Sequence, residues 1–247
     1  MATNKIFFRG LQTKDYAHPN EKFFAERAGN DFDKFDGEVI PQTSTELNQQ
    51  TAPEVFDAMR EVCDILDYPN VPKVFVSHEP CAKVFVSRDN EISITDSVVN
   101  EFDRQMKCFV FGSAVSMLKG GHSRLSTVNG KNLSAATIMA LQEYLRAVNL
   151  SDDRGGLLCC QNFIAAARCI LAESGLSLNK LKLLRDGEIL QLVENYLQQA
   201  LDITFDRQSG ASSFFKPMSG NREPAPIRLR ELLAWYRGDY QKFLKGK

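Results

Sequence analysis

The stretch from Phe109 to Leu118 constrains the fold of this chain most, because it is apolar on nearly every face of a helix. A helix of that kind is stable only when other elements cover it on all sides. Gly120-Gly121 directly after it provides a C-terminal stop. With 247 residues, of which 43% are hydrophobic, the chain is long enough to supply the cover. The sequence therefore predicts a buried central helix.

A small β-sheet is predicted beside this helix. Lys73 to Ser77 and Lys83 to Ser87 are rich in β-branched and aromatic residues, and in Glu91 to Thr95 isoleucines alternate with polar neighbours. Other segments repeat apolar residues every three or four positions, as amphipathic helices do. These predicted helices cover Pro53 to Leu66, Leu133 to Val148, Asn162 to Ala172, Glu188 to Leu201 and Ile227 to Leu244. The predicted fold class is α+β, mostly helical, with one small sheet.

The patterns also indicate a domain boundary near residue 50. The first fifty residues are polar and irregular, with aromatic residues scattered among charges, so residues 1–50 are predicted to form an arm packed on the core. The amphipathic pattern starts at Pro53, and residues 51–247 are predicted to form a single domain. Asp206 to Pro226 is rich in Ser, Gly and Pro and is predicted to be a surface loop.

Charge and composition argue against several classes of function. The 30 lysines and arginines against 31 aspartates and glutamates leave a net charge of −1, so no overall positive field attracts nucleic acid or anionic membranes. The longest uncharged stretch, Gly155 to Ala167, has 13 residues, well short of the roughly 20 that a bilayer crossing needs. The N-terminus lacks the apolar run of a secretory signal. We expect a cytoplasmic protein with no nucleic-acid partner and no membrane span.

Familiar catalytic motifs are incomplete in this chain. The six cysteines show no C-x-x-C spacing, which favours reduced, buried thiols. His78-Glu79 begins like the zinc motif H-E-x-x-H, but the fifth position is Ala82 and Pro80 would break the helix. Ser113 stands one place early for the serine of a G-x-S-x-G hydrolase turn. Two acidic pairs, Asp152-Asp153 and Asp31 with Asp33, are predicted to be helix caps and solvated surface.

Three segments nevertheless resemble one enzyme family. Arg146 to Gln161, R-A-V-N-L-S-D-D-R-G-G-L-L-C-C-Q, is similar to the R-x-S-E-L-S-A-D-R-A-G-L-L segment of the HtpX and CAAX-prenyl-protease zinc metallopeptidases. Phe109 to His122 has the frame of the family's zinc-binding helix, and Ile227 to Tyr240 is similar to its C-terminal R-x-x-E-L-x-x-W segment. Tyr16-Ala-His-Pro and Ile92 to Phe102 fit as well. The resemblance implies a zincin-like metallopeptidase scaffold.

The positions at which the chain differs from the family are those that bind zinc or activate water in the family. Ser113 and Met117 stand where the resemblance implies two zinc-binding histidines one helical turn apart, and Ala114 stands where it implies the glutamate that activates water. Asn149 replaces the third ligand, a glutamate. Asp153 matches an aspartate that orients a zinc-bound histidine and is retained. Because Ser, Ala, Met and Asn bring no charge to hold Zn²⁺, these five positions form a degenerate site, with no metal, no other cofactor and no catalytic residue.

This pattern favours a catalytically inactive homologue, a pseudo-peptidase that binds a protein or peptide partner. One alternative is an active hydrolase or metallopeptidase with a non-standard site, using an unfamiliar metal or a nucleophile such as Ser113 or a cysteine. Another is a purely structural subunit. We expect Ser113 to Met117 to lie in a buried helix that Asn149 and Asp153 face. Asp153 is expected to bond to Arg154, to a backbone amide or to a hydroxyl such as that of Ser113, or to reach water.

Overall fold

The computed structural model describes residues 8–28, 35–36, 39–79, 83–125, 127–128, 134–208 and 223–245. Within these ranges the fold is α+β and mostly helical. The helices are α1 (Thr13–Tyr16), α2 (Pro19–Ala28), α3 (Pro53–Leu66), α4 (Asp96–Glu101), α5 (Arg104–Gly120), α6 (Ala135–Cys160), α7 (Phe163–Glu173), α8 (Leu178–Leu183), α9 (Asp186–Gln208), α10 (Ala225–Arg237) and α11 (Tyr240–Lys245). The strands are β1 (Phe35–Asp36), β2 (Thr45–Leu47), β3 (Val74–Ser77), β4 (Val84–Val86), β5 (Ile92–Thr95) and β6 (Thr127–Val128). In this part of the chain, no helix combines the length and apolarity needed to cross a bilayer.

One mixed sheet of four strands has the order β2-β3-β5-β4. β3 and β5 run parallel, with Val74 opposite Ile92, and the two edge strands pair antiparallel. β1 and β6 form a separate two-stranded pair. The sequence patterns predicted β3, β4 and β5, but not β2, because its residues Thr45, Glu46 and Leu47 form no run of β-branched or aromatic side chains. The predicted arm therefore supplies one edge strand of the sheet.

Helix α5 is the buried central helix that the sequence predicts. Asp103 caps its N-terminus by accepting a hydrogen bond from the Met106 amide at 2.9 Å. Gly121 ends it in the left-handed conformation, with φ of 72°, which glycine adopts at little cost. Helices α3, α6 and α7 and strand β4 contact it. Phe109 and Phe111 are consequently fully buried.

Helices α5 and α6 approach closely because α6 places glycine at the contact. A Cβ on Gly156 would lie 2.7 Å from the Phe109 carbonyl oxygen, and a Cβ on Gly112 would lie 2.8 Å from the Cβ of Cys159. Glycine is otherwise unfavourable within a helix. The same contact explains why α6 continues to Cys160, beyond the predicted end at Val148: packing against α5 outweighs the poor helix propensity of its two glycines.

Gly156→Ala should destabilise the protein by about 1–3 kcal/mol, because the new methyl group meets backbone that cannot move aside cheaply. Gly187→Ala is the matched control, since a Cβ at Gly187 in α9 meets nothing within 4 Å. That control should stabilise the protein slightly, by up to about 1 kcal/mol, through helix propensity alone. Urea denaturation followed by circular dichroism compares the two variants. Equal stability of Gly156→Ala and the wild type would contradict the close contact.

Two predicted segments differ from the structure at the C-terminal end. The predicted helix from Ile227 to Leu244 is interrupted at Gly238, with φ of −102° and ψ of −101°, and so becomes α10 and α11. The Gly238 amide instead bonds the carbonyls of Ala234 and Trp235. Helix α9 also extends to Gln208, into the predicted loop, while residues 209–222 of that loop lie outside the described residues.

Candidate functional site

The five positions of the predicted degenerate site lie on two neighbouring helices. Ser113 and Ala114 are fully buried in α5 and Met117 follows one turn later, partly buried, as expected for this segment. Asn149 and Asp153 are buried one turn apart in α6. Apart from Asp153, these side chains offer only hydroxyl, methyl, thioether and amide groups, which do not fit a catalytic zinc ion. The described residues also hold no group of three or more His, Cys, Asp or Glu side chains arranged to bind a metal.

The carboxylate of Asp153 belongs to a buried ion-pair network. Arg228 of α10 donates from Nε and Nη2 to its two oxygens at 2.8 and 2.7 Å, and donates from Nη1 to Glu173 of α7 at 2.7 Å. The side chains of Arg228 and Asp153 are only 4% and 2% exposed. We refer to Asp153, Arg228 and Glu173 as the arginine network. It links three helices through one guanidinium group.

This network corrects two expectations for the acidic pair. Asp153 does not reach water, and its bidentate partner is Arg228, which the sequence analysis did not propose. Neither Asp152 nor Asp153 is solvated surface or a helix cap, because both are buried inside α6. Burial alone would lower the pKa of the Arg228 guanidinium, but the charges of Asp153 and Glu173 outweigh it and raise that pKa. The other pair, Asp31 and Asp33, lies outside the described residues.

A second buried cluster joins the arm to the core around His122. The two ring nitrogens face carboxylates: Nδ1 lies 3.2 Å from Asp152 Oδ1 of α6, and Nε2 lies 3.4 Å from Glu21 Oε1 of α2. The other oxygen of Glu21 accepts a hydrogen bond from the Ser151 hydroxyl at 2.5 Å. That hydroxyl in turn accepts from the His18 backbone amide at 2.8 Å. We refer to Glu21, His122, Asp152 and Ser151 as the histidine latch.

The surroundings of His122 favour its charged form. Burial disfavours the imidazolium, but the carboxylates of Asp152 and Glu21 outweigh burial and raise the pKa of His122 to about 10. In the same way, burial would raise the pKa of Glu21, while hydrogen bonds to His122 and Ser151 and the charge of His122 lower it. Near neutral pH the latch therefore contains an imidazolium ion between two carboxylates.

The latch does not have the arrangement of a nucleophilic site. In a serine hydrolase the histidine contacts the serine hydroxyl, whereas here Glu21 lies between Ser151 and His122. Ser151 is also buried. The five cysteines in the described ranges are free and buried, and burial raises the pKa values of Cys63, Cys159 and Cys169, which makes reactive thiolates unfavourable.

A cleft of about 230 Å³ lies between α2, α6 and α10, beside the histidine latch. Its apolar lining comes from Phe24, Ala147, Leu150 and Ile227, and its polar lining from His18, Asn20, Glu143, Arg146, Glu223, Arg230 and Glu231. None of the five degenerate positions lines it. Because three different helices contribute, the cleft depends on how these helices are held together.

The charged groups that line the cleft form local pairs. Arg146 donates to Glu223 at 2.8 Å and also pairs with Glu143. Arg230 donates to Glu231 at 2.8 and 3.1 Å. His18 and Arg230 together hold the pKa of Glu231 well below its usual range. The lining thus combines apolar side chains with charges of both signs.

Sequence reasoning did not find the latch, the arginine network or the cleft. Glu21, His122 and Asp152 are separated by 101 and 30 positions in the chain, so no local spacing could pair them. Two segments singled out in the sequence, Tyr16-Ala-His-Pro and Arg146 to Gln161, meet here through the hydrogen bond from the His18 amide to Ser151. Nothing in their sequences indicates that contact.

Comparisons of the chain with protein-family models, with curated proteins and with solved structures found no match.

Proposed function

We propose that this protein is a catalytically inactive homologue of the HtpX-type zinc metallopeptidases and acts in the cytoplasm by binding a protein or peptide partner in the cleft. The observation that carries the proposal is the burial of Asp153 in a bidentate ion pair with Arg228. The resemblance assigns this aspartate to the support of a zinc-bound histidine. Its carboxylate now joins α6 to α10 instead.

Contacts among the matching residues support a retained scaffold. Asp153 pairs with Arg228, and the guanidinium group of Arg154 lies 5.6 Å from the ring centroid of Trp235. All four of these residues lie at matching positions of the segments that resemble the family. Residues that are far apart in the chain but meet in the structure are what a shared scaffold would produce. Ser113, Ala114 and Met117 at the zinc positions cannot supply the original chemistry.

The rival hypothesis of an active hydrolase has less support. Ser113 is fully buried in α5, and the thiols of the described cysteines are buried as well. Burial denies both types of side chain the access to substrate that nucleophilic catalysis needs. A partner-binding role requires only the cleft and its mixed lining.

The cytoplasmic assignment and the class of partner rest on composition. Five free cysteines in the described ranges suit a reducing compartment. A net charge of −1 gives no general attraction to nucleic acid. We therefore propose a protein or peptide, rather than nucleic acid, as the partner.

Capture experiments with two matched arginine variants test this proposal. Arg230→Glu reverses a charge in the cleft, whereas Arg185→Glu makes the same change at a side chain that is 92% exposed and does not line the cleft. A partner captured by the wild type should bind Arg185→Glu equally well and Arg230→Glu at least about tenfold more weakly, as expected when an interfacial charge is reversed. A partner that binds all three proteins equally would refute the cleft. Cleavage of the partner by the purified protein would refute inactivity.

A further inference from the structure

The cleft has one wall that belongs to the arm. His18, Asn20 and Phe24 line it from the side of α2, and the remaining lining residues come from α6 and α10 or directly precede α10. The contacts that hold α2 against α6 therefore determine whether the cleft is complete.

The side chains of α2 are only partly buried, although the helix lies along α6. No side chain of residues 19–27 is fully buried, and only Phe24 and Ala25 pack against the small cluster that includes Leu141 and Tyr144. A segment with so little buried apolar surface belongs to the least stable parts of a fold. The arm before it is better anchored, since Tyr16 is 2% exposed and Arg154 donates to the Ala17 carbonyl at 3.1 Å. His18 is anchored as well, because its backbone amide donates to the Ser151 hydroxyl at 2.8 Å, so the weakly held part is α2 itself.

Among the described residues, the polar contacts between the side chains of α2 and the core come from Glu21. Glu21 contacts His122 with one oxygen and Ser151 with the other, and both of these partners are buried. His122 is fixed in turn by Asp152 and by its fit against Gly120, where a Cβ would lie 2.4 to 2.8 Å from three ring atoms. The core side of the latch is therefore rigid, and Glu21 is the group that joins α2 to it.

We propose that the histidine latch positions α2 as a movable wall of the cleft, so that the cleft is complete only while Glu21 is bound to His122 and Ser151. Glu21, His122, Asp152 and Ser151 are then positioning residues for partner binding. This inference rests on the proposed function for the identity of the site. The state of the latch itself can be measured without any partner.

Thiol labelling measures the opening of α2 directly. Ala147→Cys places a thiol in the cleft lining at a position that is 3% exposed. The same variant carries Cys81→Ser, because Cys81 is the one cysteine outside the described residues. Ellman's reagent then reports how often α2 moves away from α6, and mass spectrometry identifies the labelled cysteine. The native thiol of Cys159, which is 1% exposed in the core, serves as the reference for opening of the whole domain.

Glu21→Gln should raise the labelling rate at position 147 by about tenfold to a hundredfold, because a neutral amide replaces the carboxylate that pairs with His122 and accepts from Ser151. Glu26→Gln is the matched control, since Glu26 lies on the same helix and is exposed. It should leave the rate unchanged. Ser151→Ala removes the hydroxyl of α6 that donates to Glu21 and should also raise the labelling rate at position 147.

Comparing the labelling rates at position 147 and at Cys159 distinguishes local opening of α2 from unfolding of the whole domain. The proposal requires a faster rate at position 147 with an unchanged rate at Cys159. Equal rates in the wild type and Glu21→Gln would overturn it, as would equal acceleration at both thiols, since that would mean destabilisation of the whole domain. Failure to capture a partner would reject the proposed function but would leave these labelling rates as they are.

Discussion

Replacing Arg228 with methionine is expected to lower the free energy of unfolding by about 3–5 kcal/mol, because it leaves Asp153 and Glu173 buried without their shared cation. The methionine fills similar space, so the loss reflects charge more than volume. Urea denaturation at neutral pH measures it. Arg230→Met is the matched control on the same helix, where the side chain is 31% exposed and the expected loss is below about 1 kcal/mol.

A second substitution distinguishes the charge from the geometry of the network. Arg228→Lys keeps the positive charge but cannot donate in parallel to both oxygens of Asp153, so its stability should fall between those of the wild type and Arg228→Met. If Arg228→Met lost no more stability than Arg230→Met, the arginine network would not hold α6 to α10. The observation that carries the proposed function would then fail.

His122→Gln is expected to lower the free energy of unfolding by several kcal/mol near neutral pH, and by progressively less as the pH rises. The pKa of His122 is raised in the folded protein from 6.5 to about 10. A group with a raised folded pKa contributes stability that is fully present below its unfolded pKa and is lost as the pH passes the folded value. The stability difference between the wild type and His122→Gln should therefore be largest below about pH 6.5 and shrink towards pH 10.

The difference in free energy of unfolding between the wild type and His122→Gln, measured across pH, reports on His122 alone. Other groups that titrate in alkali are present in both proteins, so their contributions cancel. His78→Gln provides the matched control, since the side chain of His78 is 69% exposed and pairs only at the surface with Asp96. Its stability difference from the wild type should be small. A difference for His122→Gln that stayed constant from pH 6 to pH 10 would show that His122 is not an imidazolium ion between Glu21 and Asp152.

The sequence predicted the fold where the signal was local. Continuous apolar character identified α5, and short β-rich runs identified β3, β4 and β5. The spacing of apolar residues alone could not show that α6 runs through Gly155 and Gly156, because those glycines are tolerated only through packing against α5. It also could not show the break at Gly238.

The contacts of the candidate site could not be predicted from the sequence. Asp153, Arg154, Arg228 and Trp235 lie in segments that resemble the metallopeptidase family, but nothing in those segments indicates the two pairs that they form in the structure. Asp152 and Asp153 are predicted to be helix caps and solvated surface, since carboxylates are rarely buried without partners. Those partners, His122 and Arg228, come from distant parts of the chain, and no local rule could supply them.

Zinc content tests the central claim most directly. Under the proposed function, Ser113, Ala114, Met117 and Asn149 occupy the positions of the zinc ligands and the general base but do not supply their chemistry. The purified protein, dialysed against excess zinc and then against buffer, should contain far less than one zinc per chain by atomic emission spectrometry. An active HtpX-type metallopeptidase, treated identically, is the positive control. About one tightly held zinc per chain would contradict the proposed loss of the zinc site.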